Sequence, residues 1–478
     1  MAITMAKNSN LLLQIFQKYN HKVAIETTNR KITYSKLKKN SIELANFFKK
    51  KGLKKGDVVS VKLPNSLEFI YCYLACIFGG YKICPISNDL KNKDVKKIVK
   101  AVRSKYFIDN IKKIKFVRSK DINDIFFDEN NTIGIFLTSG TSSLPKGICH
   151  NSKNIIRNAY EFNRKNKINK NSRLYHLFPM NYMAGFLNSI ISPLVAGGTI
   201  IFKEKFNINF AVNFLKILDT NKINYLWVNP TMLKTINHFH NKSKKLNNKM
   251  SIFVGTSPLN INDKNRFYKL FSITPLESYG MTEILIFSSQ KKEADSKKSN
   301  VGSVLNGCKI YNNKNKELIV KSPYINKYIY DLIKKSEKKI NTNRFNTGDI
   351  GKLNLKKKLI LLGRKKNIII KGGQNIIPEG IEEKLNKLKF IKNACICPMK
   401  DKFYGEEVCL IVETVKKKEL DIKLLENFIF KNLSKKEFPK KIIHVKYIPK
   451  NRNFKILRNN LLSILFSNPK GILYEKNY

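Results

Sequence analysis

Ile133-Gly134-Ile135-Phe136-Leu137 runs straight into Thr138-Ser139-Gly140-Thr141-Ser142-Ser143-Leu144-Pro145-Lys146-Gly147. The first five residues read as a buried strand, and the ten that follow as a loop rich in hydroxyls and glycine. Glycine lets the backbone turn its N–H groups towards a ligand, the Ser and Thr side chains add donors, and Lys146 adds a positive charge. A strand feeding such a loop suits the β- and γ-phosphates of a nucleotide. It is not a Walker A loop, because the residue before Lys146 is Pro145 where that motif needs glycine.

Outward from this stretch, strands and helices alternate. Leu37 to Lys51 has helical spacing and precedes a strand-like Val58–Val61; a Ser66–Phe78 helix precedes a Tyr81–Ile86 strand. Further strands are expected at Thr199–Phe202, Tyr225–Val228, Ile252–Val254 and Leu318–Lys321, with helices at Ala211 to Leu218 and Pro230 to Phe239. This order predicts an α/β fold of mainly parallel sheets with flanking helices. The texture changes at the turn-rich Gly363-Arg364-Lys365-Lys366-Asn367, after which strands at Ala394–Cys397 and Glu407–Glu413 accompany helices at Ile381–Leu388 and Leu424–Asn432. We therefore expect a large N-terminal domain, 1–366, and a small C-terminal α+β domain, 367–478.

The bulk composition excludes several classes. With 42% hydrophobic residues in 478, the chain can bury more than one core, so global disorder is excluded. The net charge of +56 raises nucleic acid as a partner. Yet the lysines run through every segment among many Asn and Ile, which is a compositional bias rather than one basic face, and no specific nucleic-acid module is present. The most apolar stretch, Phe69 to Ile86, is broken by Gly79-Gly80 and carries Lys82 and Pro85, so no transmembrane segment is expected. The eight cysteines form no CxxC pair, and the N-terminus lacks the apolar run of a signal peptide; a reduced, cytoplasmic protein fits.

Further motifs follow the loop in order: Tyr279-Gly280-Met281-Thr282-Glu283, Asn346-Thr347-Gly348-Asp349, Gly363 to Asn367, Gly372-Gly373-Gln374-Asn375-Ile376-Ile377-Pro378 with Glu382, and Asn451-Arg452-Asn453-Phe454-Lys455-Ile456-Leu457-Arg458. Together with the phosphate loop they resemble, in register, the signatures of the adenylate-forming superfamily of acyl-CoA synthetases, peptide-synthetase adenylation domains and luciferases. Weaker texture spans nearly the whole chain. The resemblance implies stacked sheets in the large domain, a mobile C-terminal domain, and ATP, Mg2+ and a CoA or phosphopantetheine thiol as cofactors. It implies that Thr138 to Ser143 and Lys146 bind ATP phosphates, and that Gly255-Thr256-Ser257 and Tyr279 bind adenine. Thr282 then donates to the α-phosphate, Glu283 holds Mg2+, and Asp349 and Arg364 bind the ribose. Lys455 bridges acid and phosphate, where charge crowds around the attacked phosphorus. Asn367 is the hinge, and Gly372-Gly373 belongs to the thiol-binding face.

Three positions depart from the family pattern. Phe454 stands where glycine is usual, Asn367 where Asp is usual, and Tyr182 where the pocket motif Phe178-Pro179-Met180-Asn181-Tyr182-Met183-Ala184-Gly185 usually has His. Tyr182 and Gly280 are the expected contacts to the acid. Amino-acid-activating relatives place an Asp in this region to pair with the substrate ammonium; none occurs between Ser172 and Val195. A buried ammonium without a carboxylate is costly, so a carboxylic acid without an α-amino group is expected. CoA is the expected acceptor, and a separate acidic acyl carrier protein or a non-catalytic nucleotide-binding relative are the alternatives.

Overall fold

The computed structural model describes residues 11–117, 128–138, 145–247, 249–291, 300–313, 316–415, 420–450, 456 and 458–478. Among these the helix Leu67–Gly79 shows how the sequence sets its elements. Ser66 caps its N-terminus by accepting from the Phe69 N–H, Gly80 at φ +70° ends it, and all but one of its side chains are buried. The adjoining strands Val58–Val61 and Lys82–Pro85 are apolar runs because a parallel strand is covered on both faces.

Two large sheets have parallel centres and antiparallel rims. The nine-stranded sheet runs 303–304, 285–289, 276–281, 251–254, 225–228, 173–175, 199–201, 23–26, 31–33, and its interior pairs from 276–281 to 23–26 are parallel. The seven-stranded sheet runs 336–339, 328–331, 146–151, 132–138, 82–85, 58–61, 106–108, parallel from 132–138 onward. A fully antiparallel four-stranded sheet, 309–312, 317–321, 344–353, 359–364, follows. One continuous core extends from Leu12 to Leu359. A six-stranded sheet beyond Ile369 has its own cores, one under the helices Pro378–Leu385 and Ile422–Asn432 and one under Leu461–Ser467.

The expected helix at Ala211 to Leu218 is two pieces, Ile208–Val212 and Phe214–Thr220. Asn213 breaks it: its side chain bonds Asn209 instead, the competition with backbone pairing that makes Asn a poor mid-helix residue. No helix among the described residues is long and apolar enough to cross a membrane.

Candidate active site

The loop after Thr138 is held at its stem. Strands Thr132–Thr138 and Lys146–Asn151 pair antiparallel, Leu137 opposite Gly147 and Thr138 opposite Lys146, so the chain returns beside its point of departure. Ser139, Gly140, Thr141, Ser142 and Ser143 lie outside the described residues, as does Lys455.

The Tyr279 to Glu283 segment is the end of strand Leu276–Met281 and its turn into strand Leu285–Ser289. Gly280 is required by a close approach: a Cβ there would lie 2.2 Å from the Leu285 carbonyl oxygen. Tyr279 is only 8% exposed, edge-on to Phe287. Its hydroxyl donates to Asp349 Oδ2 at 2.7 Å, and Arg364 Nε donates to Asp349 Oδ1 at 2.7 Å. Asp349 and Arg364 face each other across paired strands, and the Thr347 hydroxyl accepts from the Asp349 N–H. Burial, with the Asp349 carboxylate beside it, raises the Tyr279 phenol well above its usual value, so it stays a donor.

Glu283 and Tyr182 share this neighbourhood. Burial raises the Glu283 carboxyl, against the pull of Arg364 and Lys146. Burial also raises the Tyr182 phenol, with Glu283 adding to the rise and Arg364 opposing it. Tyr182 precedes a π-helical stretch, Ala184–Ile191, a form common at functional sites. Gly185 is compulsory in the pocket motif, since a Cβ would meet the Pro179 carbonyl oxygen at 2.0 Å. Gly255, Thr256 and Ser257 follow strand Ser251–Val254, with Thr256 at φ +76°. The structure thus brings Tyr182, Tyr279, Gly280, Thr282, Glu283, Asp349, Arg364 and Lys146 to one locality. Gly372 and Gly373, at φ +54° and +78°, instead turn the hairpin between Ile369–Lys371 and Gln374–Ile376, and Gly372 packs on Tyr404.

The family model described as AMP-binding enzyme matches residues 13–126 and 118–321. The chain belongs to the AMP-binding enzyme family. Among curated relatives, it is 25% identical to the 2-succinylbenzoate–CoA ligase of Bacillus pumilus, over 99% of this chain and 100% of that one. It is likewise 25% identical to a long-chain-fatty-acid–CoA ligase of Bacillus subtilis, over 95% and 93%. The solved structure of ATP-bound MatB from Rhodopseudomonas palustris shares its fold at a TM-score of 0.84, with 22% identity and 97% and 99% of the two chains covered. That of o-succinylbenzoate CoA synthetase from Bacillus subtilis with its acyl-adenylate gives 0.81, with 20% identity, 95% and 98%. This AMP-binding enzyme is an adenylate-forming acid–thiol ligase of the acyl-CoA synthetase type, and ATP, Mg2+ and a CoA-type thiol are its cofactors.

The residues of this ligase fit the ion. Glu283 is a half-buried carboxylate whose side chain makes no ion pair among the described residues, and Mg2+ takes one or two carboxylates alongside phosphate oxygens. No group of three His, Cys, Asp or Glu with metal-binding geometry occurs among the described residues. An ion held at Glu283 would supply charge neutralisation for the triphosphate.

Sequence reasoning missed the groups that hold these residues. His150 Nε2 lies 2.6 Å from the Thr282 carbonyl oxygen. On the following helix, Ser152–Asn166, Asn154 donates to the Ile325 carbonyl and Asn158 to that of Ile286. Their spacing of four, which puts both on one helix face, was the available signal, hidden in an Asn-rich chain. Asn367 donates to Glu379 at 2.6 Å, and Arg458 forms a two-pronged pair with Glu382 at 2.5 and 2.9 Å.

Proposed function

We propose that this enzyme joins a carboxylic acid lacking an α-amino group to ATP, releasing pyrophosphate and forming an acyl-adenylate, and then passes the acyl group to the thiol of CoA with release of AMP. The observation that carries this reading is the convergence on Asp349, whose two oxygens are already aligned by Tyr279 and Arg364. Such a carboxylate is fit to accept from both hydroxyls of a ribose. In this reading Thr138 to Ser143 and Lys146 hold the phosphates, and Gly255, Thr256, Ser257 and Tyr279 flank the adenine. Thr282 donates to the α-phosphate, Glu283 holds Mg2+, and Tyr182 and Gly280 meet the acid.

Lys455 stabilises charge at the α-phosphate during adenylation. The small domain, 367–478, pivots at Asn367 on the large one, 1–366, removing Lys455 and presenting the Gly372-Gly373 face to the thiol. The separate hydrophobic core beyond Ile369 supports such a division. The eight reduced, buried cysteines support a cytoplasmic protein. A separate acidic carrier protein is the second reading of the acceptor, favoured by the net charge of +56.

Carboxylate-dependent exchange of pyrophosphate into ATP tests the first half-reaction over fatty, aromatic and amino acids. Exchange is expected with one of the first two classes and lost in Lys455→Ala, while preformed acyl-adenylate still yields thioester. Exchange that survives Lys455→Ala overturns the role given to that lysine.

A further inference from the structure

We infer that His150 is a positioning residue for adenylation: its ring N–H fixes the Thr282 peptide, and with it the hydroxyl of Thr282 and the carboxylate of Glu283, relative to the phosphate loop. The inference rests on the roles proposed above for Thr282 and Glu283. His150 is fully buried on strand Lys146–Asn151, the strand that returns from the phosphate loop. Its Nε2 meets the Thr282 carbonyl oxygen at 2.6 Å, across 132 residues of sequence.

A carbonyl can only accept, so the proton must sit on Nε2. Nδ1 then carries a bare lone pair, and it has no partner among the described residues. One tautomer therefore serves one contact. A group kept in the core for packing alone would cost less as an apolar ring, because a buried polar atom without a partner is expensive.

The contact also spans the two segments that the reaction must hold in register. On one side is the stem of the loop that takes the β- and γ-phosphates, paired through Thr138 and Lys146. On the other is the turn that carries the α-phosphate donor and the Mg2+ ligand. Asn326 donates its N–H to the Glu283 carbonyl at 2.9 Å, so the backbone of that turn is pinned on both sides. Asn158 continues the brace: its amide both donates to the Ile286 carbonyl and accepts from the Ile286 N–H. A shift of the Thr282 peptide would move both functional side chains away from the phosphates. Outer groups that orient metal ligands typically change activity or metal affinity by 10–100-fold when lost.

Three variants of the full-length enzyme test this. Gln places its amide nitrogen three bonds from Cβ, as the Nε2 of His is placed; Asn places it two bonds away, at the Nδ1 position; Phe keeps the ring and offers no donor. Pyrophosphate exchange is measured against ATP, acid and Mg2+, with melting temperature as the control for folding. His150→Gln is expected within about threefold of wild type. His150→Asn and His150→Phe are expected to lose about 10–100-fold in kcat and to need more Mg2+ for half-saturation, with KM for the acid unchanged. Conversion of preformed acyl-adenylate to thioester should be unaffected in all three.

Wild-type rates and Mg2+ dependence in the Asn and Phe variants would overturn the role, as would a Gln variant as impaired as Asn. If the Phe variant does not fold, the Gln and Asn pair decides alone. Absence of exchange in the wild-type enzyme would instead remove the proposed function and leave His150 without a reaction to serve.

Discussion

Asp349 accepts from a phenol and a guanidinium at once, and the consequence is a carboxylate fixed in the orientation that the proposed ribose contact needs. Hydrogen bonds to a charged group contribute about 1.5–3 kcal/mol. Tyr279→Phe is therefore expected to raise KM for ATP by about tenfold or more in the exchange assay and, because the lost bond is buried, to lower the melting temperature as well. The motif made Asp349 and Tyr279 legible as neighbours of a nucleotide; that the Tyr279 hydroxyl would be spent on Asp349 follows only from strand 276–281 lying within reach of strand 344–353. Thr256 is a second case. Its φ of +76° is a left-handed conformation that a β-branched residue adopts at a cost of about 1–2 kcal/mol. Thr256→Gly relieves that strain but adds freedom to the unfolded chain, so a net gain of about 1 kcal/mol is expected. Urea denaturation would reveal it; no gain would mean that surrounding contacts already compensate.

At the scale of elements, helix Pro378–Leu385 and the 3-10 turn Arg458–Asn460 are joined by the Arg458–Glu382 pair, whose side chains are 13% and 12% exposed. Glu382 also accepts from the Ile396 N–H at 2.7 Å, so one carboxylate ties the helix, the strand and Arg458 together. Removing one partner of a buried pair leaves an uncompensated charge, at about 3–5 kcal/mol. Glu382→Leu should destabilise the protein by about 3 kcal/mol in chemical denaturation and lower exchange more than thioester formation. Both residues stood in recognisable motifs, yet 76 positions separate them and no periodicity links them. Parallel strands such as Tyr225–Val228 were readable because burial on both faces demands an apolar run. Two antiparallel strands at sheet edges were not. Lys309–Asn312 and Ser336–Lys339 are half in water and carry lysines, so their pairing rather than their composition makes them strands.

The whole molecule combines a net charge of +56 with a core that contains buried neutral histidines. Burial pushes the His176 imidazole down to about 4 from its ordinary 6.5. Between those values the unfolded chain binds the proton and the folded chain does not, so stability rises with pH across this window and is lost as pH falls from 6.5 towards 4. His176→Asn should flatten that decline in the pH dependence of the urea midpoint. The charge itself should give oligonucleotide binding that is independent of sequence and vanishes at physiological salt; affinity that survives there would revive a nucleic-acid role. Sequence alone determined the adenylate-forming fold and most of the residues gathered around Asp349, because phosphate, ribose and Mg2+ each demand particular side chains on particular turns. The tertiary structure alone decided what holds them: His150 under Thr282, Tyr279 on Asp349, Glu382 under Arg458. These contacts join residues far apart in the chain, and their distances are set by how the sheets twist and pack, which no local pattern encodes.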